Sequence, residues 1–227
     1  MNILQVLPHD HGPLYKETVM TRFPVEPFNT FSNFLFLAVV IYFGIRVYKN
    51  TKQHLFLAYC IPIIFLSFIG GTIYHATRSA NLWLYLDWVP IIALCIATAF
   101  YFVFKTAKTN FGKVLWFVII FIITFGFRQL PLPQNFKISI GYIATALALL
   151  LPIFSYMYQT KWKNSVFVFM AILSFCIAIG FRIADKKLDL LPMGSHWLWH
   201  SFGAIAVFFL MKYMYEDHQL KQNISLP

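Results

Sequence analysis

"GSHWLWHSFGAIAVFFLMKYMY", residues 194–215, joins two signals that seldom meet. His196 and His200 lie four apart, so on a helix they point the same way. The segment behind them, "GAIAVFFLMKYMY", is almost wholly apolar. A run of this kind reads as a membrane helix, and it begins with two titratable imidazoles.

The rest of the chain repeats the apolar theme. Of its 227 residues, 59% are hydrophobic and 11% charged, and the mean hydropathy is +0.68. A soluble domain needs more polar surface than that. Apolar runs of about 20 residues match a hydrocarbon core roughly 30 Å thick. They predict seven helices, near 27–48, 54–77, 83–105, 110–128, 137–159, 164–184 and 195–215. The connectors are short and carry Pro, Asn and Lys. The predicted fold is an all-α integral membrane protein, a seven-helix bundle over 27–215. A non-membrane segment, 1–26, precedes it and a short tail, 216–227, follows it.

The net charge of +10 does not mark a nucleic-acid binder, because Lys and Arg are spread over the ends of the apolar runs. That is how membrane helices are anchored and oriented. Slightly more of the 18 basic residues fall on the side of the C-terminus. That bias puts the C-terminus in the cytoplasm and the N-terminus outside. Cys60, Cys95 and Cys176 each lie inside an apolar run, without C-x-x-C spacing, and read as buried small hydrophobes. "MNILQVLPHDHGP" lacks the basic and apolar regions of a signal peptide, so the first apolar run serves as the insertion signal.

Polar residues inside the runs collect on the N-terminal side. His75 closes the second helix, Asp87 opens the third, and His196 and His200 open the seventh. Glu26, Asn29, Ser32 and Asn33 open the first. Taken singly, each has an ordinary explanation. His75 could sit at the interface, Asp87 could cap a helix ahead of Pro90, and the asparagines could tie helices together. Taken jointly, they place ionisable groups from several helices at one end of a bundle, where such groups are costly and functional. Three neutral imidazoles fill three corners of a tetrahedral zinc site and leave the fourth open, the pattern of catalytic zinc.

These residues resemble the alkaline ceramidase family, one of the seven-helix membrane hydrolases that also include adiponectin-type receptors. The resemblance is carried by "EPFNTFSN" at 26–33, "GGTIYHAT" at 70–77, "LDWVP" at 86–90 and "GSHWLWH" at 194–200. It implies that His75, His196 and His200 bind zinc and that Asp87 holds or deprotonates the attacking water. It further implies hydrolysis of the amide of ceramide, or of a related N-acyl lipid, to a sphingoid base and a fatty acid.

Two positions depart from the family. Its serine four residues before the first zinc histidine is Gly71 here, with Thr72 and Ser67 as substitutes. Its acidic calcium site finds a loose match in Asp10, Glu17 and Glu26. Glu26 bonded to Asn29 and nearby backbone is the other reading. His9 and His11 read as an exposed pair. Short loops and a low-GC composition resemble a bacterial member.

Other readings stay open on the residues alone. The same scaffold serves a lipid sensor with structural zinc, which Gly71 favours, or an esterase acting on lipids. A haem between His75 and His200 would leave His196 and Asp87 without a task. A retinal protein lacks its mid-helix lysine, since Lys212 lies near the end of the seventh run.

Overall fold

Apolar runs with few breaks give helices and nothing else among the described residues. The computed structural model describes residues 8–131, 134–187 and 191–225. Residues 1–7 of the N-terminal segment, 188–190 of the last connector and 226–227 of the tail lie outside them. The main helices are α1 (Pro27–Ser32), α2 (Phe34–Val47), α3 (Leu55–Thr77), α4 (Asn81–Thr106), α5 (Asn110–Gly126), α6 (Gln134–Gln159), α7 (Ser165–Lys187) and α8 (His196–Ser225).

The first expected helix is two. Asn29 explains the break, because its carbonyl accepts from Ser32 Oγ and Asn33 Nδ2, both at 2.9 Å. Side chains thereby take the carbonyl that the next turn would use. The Asn33 N–H bonds Phe31 instead. α8 departs in the other direction. The tail expected from residue 216 continues the helix to Ser225, helped by a Lys212–Glu216 pair one turn apart at 2.6 Å.

Among the described residues, five segments are long and apolar enough to cross a membrane: Pro27–Asn50, Leu55–Thr77, Asn81–Thr106, Ile140–Gln159 and Ser165–Asp185. α5 is apolar but shorter, at 17 residues. α8 lies outside this set. It opens on two histidines and closes on a charged stretch, which dilutes its apolar middle.

The helices fall into two compact units, Met1–Ile91 with Val166–Pro227, and Ile92–Ser165. In the first, α1 and α2 pack on both α3 and α8, around fully buried Phe43, Val47, Leu57, Ile64 and Tyr213. In the second, α5 packs on α6, over buried Ala99, Phe102, Val103, Ile153 and Met157. Both units leave large apolar side chains exposed, among them Ile41, Ile45, Leu66, Phe121 and Leu173. Such surface suits lipid rather than water.

The cysteines are free thiols, but only Cys60 is buried as expected. Cys176 is exposed, in one stripe of α7 with Phe169 and Leu173. It faces outward because that stripe does.

Candidate metal centre

The site lies wholly in the first unit, and each part of it has a local cause. α8 must start sharply to present His196 and His200 on its first two turns. Asp185, near the end of α7, caps it. One carboxylate oxygen accepts from the N–H groups of Ser195 at 2.6 Å and His196 at 3.0 Å. These are helix-start donors that would otherwise lack partners. Ser195 Oγ donates to the Phe181 carbonyl at 2.8 Å. Gly194 permits this approach. Its φ is +78°, and a Cβ there would lie 2.5 Å from Asp185 Oδ1.

His75 arrives on the last turns of α3 and is fully buried. Its Nδ1 donates to Glu26 Oε2 at 2.5 Å, which leaves Nε2 as its unpartnered nitrogen. The ring centroids are 5.7 Å apart for His75–His196, 4.8 Å for His75–His200 and 4.8 Å for His196–His200. One nitrogen from each ring lies within 4.8 Å of the others. Nε2 of His75 and of His200 is buried without a hydrogen-bond partner. Buried imidazole nitrogens are rarely left so. A metal ion would answer both orphans, and the carboxylate behind His75 would fix the tautomer of that imidazole. Neutral nitrogen donors in a set of three suit zinc.

Around the histidines lies a strap, residues 8–26, which docks on the end of α3. His9 N bonds the Arg78 carbonyl at 3.1 Å, Val25 N that of Ala76 at 2.9 Å and Glu26 N that of His75 at 3.0 Å. Tyr15 of this strap stacks on His196, with centroids 3.8 Å apart and planes 19° apart. Burial and then the nearby Tyr74 hydroxyl push the Tyr15 phenol well above its usual range, so it stays neutral. His9 and His11 are exposed, as a plain surface pair would be.

The three carboxylates considered for calcium do not form one ligand shell. Glu17 caps α1, accepting from Phe28 N at 3.0 Å and Asn29 N at 2.7 Å. Asp10 grips the Arg78 guanidinium at 2.7 and 2.8 Å, and Glu26 takes its other end at 2.6 Å. Arg78 therefore stands where a cation shared by Asp10 and Glu26 would be. Among the described residues, the group of three that could hold a metal is the histidine set. Burial raises the Glu17 carboxyl despite its two backbone bonds. Burial also opposes ionisation of Glu26, but His75, Arg78 and Thr18 outweigh it and hold its carboxyl low.

Asp87 reaches the site beside Gly71. A Cβ on Gly71 would overlap the Asp87 carboxylate and lie 2.7 Å from Asn33 Oδ1. Gly71 is one turn before His75 on the same face of α3, about 6 Å along the axis. The space a serine would need there is filled by the carboxylate. Asn33 is oriented, since its Nδ2 donates to the Asn29 carbonyl, which turns Oδ1 towards Gly71. Ser67 lies further back on α3 and is already engaged. It lies two turns, about 12 Å, from His75, and its hydroxyl donates to the Asp87 carbonyl at 2.5 Å. The Thr72 hydroxyl, closer to His75, is buried without a partner.

Sequence reasoning missed Arg78, Tyr15 and Asp185. Arg78 read as an anchoring charge, though its place three residues after His75 was a usable signal. Tyr15 carried none, because the strap has no periodicity. No protein-family model matches the chain, and no curated protein matches it.

Proposed function

We propose that this chain is a membrane-embedded zinc hydrolase of the alkaline-ceramidase kind, cutting the amide of ceramide or a related N-acyl lipid. The observation that carries the reading is the pair of orphaned buried nitrogens, His75 Nε2 and His200 Nε2, facing each other and His196. On this reading α5 and α8 complete a seven-span bundle, with the N-terminus and the histidines on the non-cytoplasmic side.

His75, His196 and His200 would hold a zinc ion, which would supply Lewis acidity for a carbonyl and for a water. The chain's own residues do the rest. Glu26 keeps His75 in the tautomer that presents Nε2. Asp87, whose carboxylate lies against Gly71 one turn before His75, holds the proton released in the attack and passes it to the leaving amine. Asn33 Oδ1 is a fixed acceptor for an amide N–H or a sphingoid hydroxyl. The strap and Tyr15 screen the polar end from bulk water, and exposed apolar helix faces let a lipid approach from the bilayer.

The test is release of fatty acid from labelled ceramide by detergent-purified protein, beside His200→Ala. Release by wild type and none by the variant is the expected result. Equal release from both refutes the histidine site. No release by a zinc-loaded wild type refutes ceramide as substrate and turns the same assay to lipid esters.

A further inference from the structure

Arg78 uses every donor of its guanidinium, and nothing in the proposed chemistry uses it. It is fully buried and sits at the C-cap of α3 with φ +49°, in the left-handed region. Glycine is the usual residue at such a position, because any other pays a steric cost. The side chain supplies the compensation. Nε and Nη2 donate to the two oxygens of Asp10 at 2.8 and 2.7 Å. Nη1 donates to Glu26 Oε1 at 2.6 Å and the Pro13 carbonyl at 3.1 Å, and Nη2 also donates to the Gly12 carbonyl at 3.3 Å. All five guanidinium N–H groups are used.

The partners define two arms. Asp10, Gly12 and Pro13 belong to the strap, which carries Tyr15 onto His196. Glu26 is the carboxylate behind His75. One cation therefore steadies the groups that touch two of the three histidines. A calcium ion would need six to eight oxygens here. It would also have to lie against a guanidinium that already neutralises two of the carboxylates.

We propose that Arg78 is a positioning residue for the metal centre, a built-in cation that does the work of a second metal ion, so that the site is calcium-independent. This rests on the reading of the three histidines as a metal centre. A lysine should serve poorly, since a point charge with three donors cannot fork across Asp10 while reaching Glu26.

The experiment uses the full chain in detergent, with zinc affinity measured by competition against a chromogenic chelator. Arg78→Gln should weaken zinc by about 10–100-fold, the usual loss when the groups behind a ligand are disturbed. Arg78→Lys should recover part of that. Asp10→Asn, which leaves the Glu26 contact, is the milder variant should Arg78→Gln fail to fold, and should weaken zinc by ~3-fold or more. In parallel, calcium is added to wild type in calcium-free buffer, up to about 1 mM, the range of weak protein sites. No bound calcium and no change in Tm are expected.

Zinc affinity unchanged in Arg78→Gln, or in Asp10→Asn, overturns the positioning role. Stoichiometric calcium on wild type overturns the built-in cation. A wild type that takes no metal fails the metal-centre reading itself, a different result from a zinc-binding wild type indifferent to Arg78.

Discussion

Gly71 and Asp87 act as a pair, because the carboxylate occupies the volume that a side chain at 71 would fill. A serine placed there should harm the site. Gly71→Ser and Gly71→Ala should each cost about 1–3 kcal/mol of stability, the usual range for overpacking, and lower turnover by displacing Asp87. Thermal melts and steady-state rates check this, and a gain of activity in Gly71→Ser would reverse it. Asp87→Asn keeps the volume and removes the proposed base. It should hold zinc near the wild-type level and lose roughly 10²–10⁴ in rate. Glu26 sets an acid limit on the fold. Its carboxyl is held below the free value of 4.5, so its stabilisation is complete above that pH and is lost as pH falls through the folded value. Tm measured against pH should fall below about 4.5 in wild type, and that part of the fall should be absent in Glu26→Gln. The histidines were legible in sequence because imidazoles stand out in apolar runs. Arg78 was not, since an arginine at a helix end looks the same whether it faces headgroups or two buried carboxylates.

α8 carries two of the three candidate ligands on its first two turns, so its cap matters more than most. Asp185→Ala removes the acceptor for the Ser195 and His196 N–H groups. It should cost about 0.5–2 kcal/mol, the range for a lost N-cap. Zinc affinity should fall with it, since His196 is the first helical residue. Unchanged zinc affinity would mean that the Ser195 Oγ bond to the Phe181 carbonyl holds the turn without Asp185. Helix positions were readable from the apolar runs, because each must satisfy its backbone internally wherever water is absent. The break at Asn33 was not. It depends on which carbonyl the Ser32 and Asn33 side chains choose, and composition is silent on that. The extension of α8 past 215 was missed for a related reason. "EDHQLKQN" is polar enough for a tail, yet good helix formers carry the helix on.

Across the first unit, α3 and α8 meet at both ends. At one end they bring His75 to His196 and His200. At the other, His54 Nδ1 meets His218 Nδ1 at 3.0 Å, with Tyr215 stacked on His54 at 4.5 Å. Burial lowers the His54 imidazole below its usual 6.5. The folded state thus favours the neutral ring, and stability is lost as pH falls from about 6.5 towards the folded value. A first acid step in Tm should therefore precede the Glu26 step and vanish in His54→Phe. Membrane residence was the plainest reading of the whole chain, because few other environments accept so much exposed Phe, Ile and Leu. The substrate was never legible in the same way, as amide and ester carbonyls ask the same residues for the same help.

The central claim is that three buried imidazoles on α3 and α8 hold one metal ion. Elemental analysis of detergent-purified protein tests it most directly, on wild type beside His200→Ala. One zinc per chain in wild type, and little in a folded His200→Ala, is the result this account predicts. A wild type that binds no metal when supplied with zinc, or a His200→Ala that retains a full equivalent, would contradict it.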